Sequence, residues 1–452
     1  MIATTVRSRS VLAYNRLDAH YYTSPGMAAF ERLAIREGAG GEGANGNVGD
    51  IATVWDPPRF ARAYAAPAEP AQPYLRPYDV FDYVPRASDR LSLLRNEDLA
   101  RLIPAAGTLL QTCSGRNLGP LTLADPDLAT FALSHDMIRI EVPGEEMRLY
   151  LLAYLKTPTG QALLRRGKSG SVIDHITTAD VAATPLVLMA PAVRQPVVER
   201  MRTAVQLAAS ARARLREVRA AQERALPTPQ RQSSNRTGWA LSSSRVGERL
   251  DAAFYDPVVR AAREQVREAG GPRCGDLASA TLPVRYKRYY VEKGHGRPIL
   301  SGRQLLQLEP VNLRHVSDRS FRNPSEYELS VGMTVFGAVG RSQGRQGTPA
   351  LVTADRDGWL ASNDVMRLRP HGGVDPALLW LAIAAGQTRL QINALSFGSV
   401  VDHMNPWDVE ELLLPPVAND LVTEAQLAWH DFGQAAVASA EAVSSLELAL
   451  HS

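Results

Sequence analysis

Cysteine, lysine and long apolar runs are what this 452-residue sequence has least of. Its two cysteines, Cys113 and Cys274, sit at non-equivalent places in the two sequence halves. No disulfide is expected, and two thiols alone make a poor zinc site. No stretch approaches the ~18 apolar residues of a membrane span, and the N-terminus lacks the apolar run of a signal peptide. A cytoplasmic protein without membrane contact is expected. Lysine is nearly missing too. Of 50 basic residues only Lys156, Lys168, Lys287 and Lys293 are not arginine. Arginine binds phosphate and guanine bidentately and suits a nucleic-acid surface. A high-GC coding bias gives the same abundance, so content alone decides nothing. Formal net charge is +3, and the 45% hydrophobic content is enough for ordinary buried cores.

What is present is a repetition. Arg16-Leu17-Asp18-Ala19-His20-Tyr21-Tyr22 is answered by Arg249-Leu250-Asp251-Ala252-Ala253-Phe254-Tyr255. Gly115-Arg116-x-x-Gly119 is answered by Gly340-Arg341-x-x-Gly344, and Ser134-His135-Asp136 by Ser362-Asn363-Asp364. Gly170-Ser171-Val172-Ile173-Asp174-His175 is answered by Gly398-Ser399-Val400-Val401-Asp402-His403. The order is kept, at offsets of about 225 to 233 residues. Chance does not place four motifs in register, so the chain is a tandem duplication of whole domains.

Each copy follows one plan. Helical patterning covers 25–37 in the first and Pro257–Glu268 in the second. A Gly-Asp-hydrophobic step follows, Gly49-Asp50-Ile51 and Gly275-Asp276-Leu277. Strand-like runs such as Thr108–Thr112 and Met333–Val339 come next. A helix then carries Leu151, Leu152 and Tyr154, or Leu378, Leu379 and Leu381, and each globular part closes on an apolar strand, Pro185–Met189 or Leu412–Leu414. After each comes a heptad seam. Val197, Met201, Ala204, Ala208, Ala211, Leu215 and Val218 form the first; Leu421, Ala425, Ala428, Phe432, Ala435, Ser439, Ala442 and Leu446 form the second. A helix of ~30 residues spans roughly 45 Å. Two such helices, packed antiparallel, would make a rigid spacer. The fold class expected is α+β: mixed α/β domains at 1–191 and 245–415, alternating with long helices at 192–226 and 416–452, joined by a Pro/Ser/Gln-rich linker at 227–244.

Two strings invite an enzymatic reading. Gly41-Glu42-Gly43-Ala44-Asn45-Gly46 fits a GxGxxG pattern, and Asp56-Pro57-Pro58-Arg59-Phe60 is near the DPPY box of amino-methyltransferases. A cofactor loop must follow a strand and open a helix; here the glycines follow a helical stretch, and the second copy has neither string. Asp174-His175 and Asp402-His403 are neighbours on extended chain, so their side chains point to opposite faces and do not make a base with its orienter. No catalytic residue, cofactor or metal is expected.

The better signal is Arg with Tyr. Arg59, Arg62, Tyr64 and Arg76 follow the first Gly-Asp step; Arg285, Tyr286, Lys287 and Arg288 follow the second, with Arg303 beyond. Arg and Lys contact phosphate and guanine, and Tyr stacks or donates. Arg116 and Asn117, and in the other copy Arg341, Ser342, Arg345 and Gln346, sit on glycine-flanked turns that can project into a groove. The alternative for each cluster is a solvated face; recurrence at one repeat position favours DNA.

These motifs resemble those of the specificity subunits of type I restriction-modification systems. The resemblance rests on the doubled Arg-Leu-Asp-Ala opening, the Gly-Arg-x-x-Gly turn, the step Gly358-Trp359-Leu360-Ala361-Ser362, and the Gly-Ser-Val box before an apolar strand and proline. It covers nearly the whole chain. The first copy departs from it, with Phe131-Ala132-Leu133-Ser134 in place of the Trp step, and so does the ending Glu447-Leu448-Ala449-Leu450-His451-Ser452. The resemblance implies two target-recognition domains, each reading half of a split double-stranded DNA sequence, and a coiled coil that sets the gap. It implies adenine methyltransferase subunits docked on that coil, with Val197, Met201, Ala208, Leu215, Val218, Leu421, Ala425, Phe432 and Leu446 at the methyltransferase/coiled-coil interface, and restriction/translocase subunits joining the assembly. The chain itself would be non-catalytic. The recognition subunit of another methylation-based phage-defence system, a stand-alone methyltransferase and a scaffold that needs no DNA remain the alternatives.

Overall fold

The computed structural model describes residue 11 and residues 19–38, 45–115, 118–168, 174–230, 238–247, 250–340, 345–395 and 403–452. The chain divides into two units, Met1–Ala209 with Ala435–Ser452, and Ser210–Gln434.

In the first unit, Pro25–Gly38 is a helix that starts where the Ser24 hydroxyl accepts from the Met27 N–H at 3.1 Å. A four-stranded antiparallel sheet runs in the order Thr53–Trp55, Met137–Glu141, Leu109–Thr112, Leu121–Leu123. Beside it lies a three-stranded sheet, Asp89–Ser92, Ala71–Leu75, Ala132–Leu133, whose last pair is parallel. Helix Glu145–Lys156 covers the larger sheet; Leu149 to Leu155 are all buried. Two of its tyrosines bury their rings and still satisfy their hydroxyls: Tyr150 donates to Val187 O at 2.6 Å and Tyr154 to Pro185 O at 2.8 Å.

The second unit repeats this topology. Its antiparallel sheet is ordered Ala278–Thr281, Val365–Pro370, Thr334–Gly337, Ala350–Leu351. Its second sheet is Tyr290–Val291, Arg314–Val316, Arg297–Leu300, Leu360–Ala361, again ending in a parallel pair. The edge strand Tyr290–Val291 answers a single antiparallel bridge in the first unit, Tyr64 with Leu91.

The Gly-Asp step of each unit has a physical role. Asp50 Oδ2 accepts from the Asn47 N–H at 2.7 Å, and Asp276 Oδ2 from the Arg273 N–H at 3.0 Å, capping the short helices Val48–Ile51 and Cys274–Leu277. The glycine between allows close approach. A Cβ on Gly49 would lie 3.1 Å from Ala182 Cβ, and one on Gly275 3.2 Å from Glu410 Cβ. Helices Pro25–Gly38 and Pro257–Glu268 match the sequence expectation. The closing strands do not. Pro185–Met189 shortens to Pro185–Leu186, because its partner Gly46–Asn47 turns at once into a helix. Leu412–Leu414 is reduced to a single bridge, Arg273 with Leu413, for the same reason.

The long helices are Pro191–Ala225 and Asn419–His451. In the first unit Val197, Met201 and Ala204 share a core with Ala442, Leu446 and Leu450, and Arg200 pairs with Glu441 at 3.7 Å. In the second unit Arg214 pairs with Glu424. The start of one helix thus meets the end of the other, and the pairing is antiparallel. The heptad residues Val197, Met201, Ala204, Ala208, Ala211, Leu215 and Val218 are all buried, as are Ala425, Ala428, Phe432, Ala435, Ser439, Ala442 and Leu446. Leu421 is half-buried instead, and Val422 is buried. The buried face broadens there because Trp429 packs edge-on against Trp380 at 5.2 Å, and Val422 lies on the same flank two turns earlier.

Candidate nucleic-acid interface

The chain leaves the first strand of each larger sheet and enters a basic segment that recurs as Arg-aromatic-x-Arg-x-Tyr. One reads Arg59-Phe60-Ala61-Arg62-Ala63-Tyr64, the other Arg285-Tyr286-Lys287-Arg288-Tyr289-Tyr290. Both follow a proline, Pro57 or Pro283, and both plant the aromatic at the second position inward. Phe60 packs on the small core of Tyr74, Leu91, Leu99 and Leu102. Tyr286 packs on Phe321 and Tyr327, with ring centroids 4.5 and 4.7 Å away. With the aromatic fixed, the arginine two residues on lies over it. Arg62 Cζ is 5.9 Å from the Phe60 centroid and 5.6 Å from that of Tyr74; Arg288 Cζ is 5.5 Å from Tyr286.

The surroundings of these arginines come from the Ser-x-Asp turn. In the second unit the parallel pairing of Ile299–Leu300 with Leu360–Ala361 brings Ser362-Asn363-Asp364 to the basic segment. Arg288 Nη2 donates to Ser362 Oγ at 2.8 Å and Asn363 Oδ1 at 3.0 Å, with Asp364 Oδ2 at 4.0 Å. In the first unit Ser134-His135-Asp136 takes the same place; Ser134 N donates to Leu75 O as Ser362 N does to Leu300 O. His135 packs edge-on against Phe60 at 6.1 Å and sits 3.5 Å from Asp136. Burial lowers its pKa, against the pull of Asp136.

Arg59, Arg62, Arg285 and Lys287 are exposed, as are the rings of Tyr64, Tyr289 and Tyr290, at 46%, 46% and 47%. Among the described residues no hydrogen bond or ion pair holds Arg59 or Arg285. Lys287 lies 5.1 Å over Tyr289, and Arg314, from the neighbouring strand, 4.7 Å over Tyr290. Each unit therefore presents exposed guanidinium groups beside aromatic rings on a rigid base. That suits phosphate contact and base-edge recognition.

No protein-family model matches this sequence, and no curated protein matches it. Three solved structures align with it along most of its length. The S subunit of the type I restriction-modification system from M. genitalium aligns with 90% of this chain and 93% of its own, at 11% identity and a TM-score of 0.32. The HsdS subunit from Thermoanaerobacter tengcongensis aligns with 90% and 94%, at 13% identity and a TM-score of 0.28. A chain of the type I R-M system, described for its complex assembly and conformational transition, aligns with 90% and 93%, at 14% and 0.29.

The other residues singled out in the sequence are placed less uniformly. Arg76 is exposed but ion-paired with Asp89 at 2.9 Å. Arg303 and Arg345 are half-buried. Gln346 is buried, and its amide donates to Ala338 O at 2.9 Å, so it braces its turn from inside and presents no side chain to a groove. Arg116, Asn117, Arg341 and Ser342 lie outside the described residues, as do most of both Gly-Ser-Val boxes, Arg16-Leu17-Asp18 and Gly41–Ala44. The bases of the two turns are described: Arg165 Nε donates to Leu118 O at 2.8 Å, and Arg389 donates to Gln346 O.

Residues considered for chemistry have structural partners. His175 bridges to Ser114, and Asp174 pairs with Lys168 at 3.1 Å. Burial pushes the thiols of Cys113 and Cys274 up to about 12. Among the described residues no cluster of His, Cys, Asp and Glu is placed to hold a metal ion, and no helix is long and apolar enough to cross a membrane. Sequence reading missed Ser362 and Asn363 as partners of Arg288, and it missed two buried arginines, Arg139 and Arg367. The signal for those two was an arginine between apolar neighbours, Ile138 and Ile140 or Met366 and Leu368, at the same repeat position.

Proposed function

We propose that this chain is the DNA sequence-recognition subunit of a type I restriction-modification complex, without catalysis of its own. Each unit reads one half of a bipartite duplex target through its Arg-aromatic-x-Arg-x-Tyr segment. The antiparallel long helices set the separation of the half-sites and seat adenine methyltransferase subunits, which restriction/translocase subunits join. The observation that carries this reading is the doubled constellation: the same cations, on the same aromatic base, beside the same Ser-x-Asp turn, in two units of one topology. A solvated charged face does not need an aromatic packed on the core and a facing turn repeated in both copies.

The chemistry divides between general and specific contacts. Arg59, Arg62, Arg285 and Lys287 supply cations for phosphates, which gives affinity that falls steeply with salt. Arg288, with its Nη2 held by Ser362 and Asn363, offers its remaining N–H groups to a single base-edge acceptor such as guanine O6 or N7. The units differ at Ala61 against Lys287, Ala63 against Tyr289, and His135 against Asn363, so the two half-sites differ in sequence. Methylome sequencing of a host carrying this gene with its neighbours tests the reading. A bipartite methyladenine motif, lost when this gene is deleted, is expected. An unchanged methylome on deletion would exclude it.

A further inference from the structure

Arg139 and Arg367 are buried, at 0% and 2% exposure. Neither has a carboxylate at ion-pair distance among the described residues, and the Nε of each has no hydrogen-bond partner there. Burial pulls both guanidinium groups down to about 10, so they are still cationic at neutral pH. A buried cation without a counter-ion is costly, and an apolar residue would fill the space more cheaply. What distinguishes arginine here is the fork of donors that gathers several carbonyls at once.

The carbonyls gathered are informative. Arg367 Nη1 donates to Val365 O at 2.7 Å; Nη2 donates to Ala361 O at 2.8 Å and Tyr327 O at 3.2 Å. Ala361 and Val365 are the residues immediately before and after Ser362-Asn363-Asp364. One guanidinium therefore ties both ends of the turn that holds Arg288. In the first unit Arg139 Nη1 donates to Met137 O at 3.3 Å, the residue immediately after Ser134-His135-Asp136. Its Nη2 goes to Leu102 O at 2.9 Å, and its Cζ lies 5.1 Å over the Trp55 ring. Only one end of that turn is tied.

We propose that Arg367 and Arg139 are positioning residues for DNA reading, each fixing the Ser-x-Asp turn of its own unit and, through it, the arginine offered to the duplex. This rests on the recognition function proposed above. Coupling in the second unit runs through contacts with no gap: Arg367 to the turn's two ends, the turn's Ser362 and Asn363 to Arg288. The first unit, with a single tie, depends less on its buried arginine.

The test is selection of a randomised duplex pool by the full chain, with melting temperatures measured in parallel. Wild type is expected to enrich a bipartite motif. Arg367→Lys keeps a cationic end but not the fork; it should melt cooperatively and lose about tenfold or more of the base preference at one half-site, leaving the other intact. Arg139→Lys should weaken the opposite half, and by less. Asn363→Ala, which removes an acceptor of Arg288 and leaves every Arg367 contact in place, should reproduce the Arg367→Lys loss. In an Arg288→Ala background Arg367→Lys should add almost nothing, since both act through one contact. A purely structural role predicts lower melting with an unchanged motif. That result, or losses that multiply in the double variant, overturns the proposal. If Arg367→Lys fails to fold, an unchanged motif in Asn363→Ala overturns it equally. A wild type that enriches no motif sinks the recognition function itself, which is a distinguishable outcome.

Discussion

Arg62 and Arg288 occupy the same place in their units, over an aromatic ring fixed two residues earlier, yet their surroundings differ. Arg288 is gripped by Ser362 and Asn363 at 2.8 and 3.0 Å. Arg62 rests on Phe60 and Tyr74 and has no hydrogen bond among the described residues. The second segment also carries Lys287 and Tyr289 where the first has Ala61 and Ala63, and it continues into a two-residue edge strand, Tyr290–Val291, where the first makes one bridge, Tyr64 with Leu91. A guanidinium with its orientation set has less entropy to lose on docking and discriminates better between bases; one held only by ring contacts adapts to a phosphate. On the recognition function proposed above, the second unit is suited to sharper reading and the first to more permissive contact.

The largest expected difference follows from that contrast. Arg288→Ala should cost about 1–3 kcal/mol of discrimination at a single base position of one half-site, because it removes an oriented charged donor and leaves Ser362, Asn363 and Asp364 without their cation. Arg62→Ala should weaken binding about equally for all sequences, by less than about 1 kcal/mol. Binding isotherms against single-base variants of the target measure both. Equal, sequence-independent losses would erase the distinction between the units.

Part of this contrast was legible in the residues alone. The duplication, the two basic segments and the heptad seams all follow from short-range pattern, and helix Pro257–Glu268 has the bounds that its Asp256 cap and Ala-Gly-Gly exit dictate. The grip on Arg288 was not legible, because it depends on a parallel pairing between Ile299–Leu300 and Leu360–Ala361, sixty residues apart. Gln346 read as a surface side chain on a turn; Ala338, eight residues earlier, takes its amide into the interior. Leu421 fitted the heptad, but Trp380, from the globular part of its unit, decides which flank of the helix is covered. Local patterning fixes elements and periodic faces. It does not fix which distant loop arrives beside them.

A smaller effect separates the units by salt. Lys287→Ala should lower the magnitude of the slope of log binding constant against log salt by about 0.9, the share of one phosphate contact. Ala61→Lys in the first unit should raise it by a similar amount, since Ala61 stands between Arg59 and Arg62 as Lys287 does between Arg285 and Arg288. Fluorescence anisotropy over a salt series gives both slopes. No change for Lys287→Ala would mean that this lysine faces solvent, with only Tyr289 beneath it.

The smallest expected difference is in acid, and it turns on His135 against Asn363. Burial depresses the His135 pKa; Arg62 and Arg59 push the same way, and Asp136 and Asp56 oppose. As pH falls through about 6.5 the unfolded chain takes up that proton first, so this histidine's contribution is full above that value and is lost as pH drops toward the folded pKa. Asn363 does not titrate. The second unit has its own half-buried histidine, His315, depressed by partial burial and by Lys293, so an acid response of the whole chain is not diagnostic. His135→Asn isolates the first unit's share. The variant should lose less melting temperature than wild type between about pH 7 and about pH 5, with the His315 share left in both. It also gives the first turn the Ser-Asn-Asp sequence of the second. An asparagine oxygen at that position is placed to accept from Arg62 as Asn363 does from Arg288, so base preference at the first half-site should sharpen. An unchanged acid response together with an unchanged preference would mean that the turn's middle residue sets neither property, and that the difference between the units lies in Lys287, Tyr289 and the longer edge pairing.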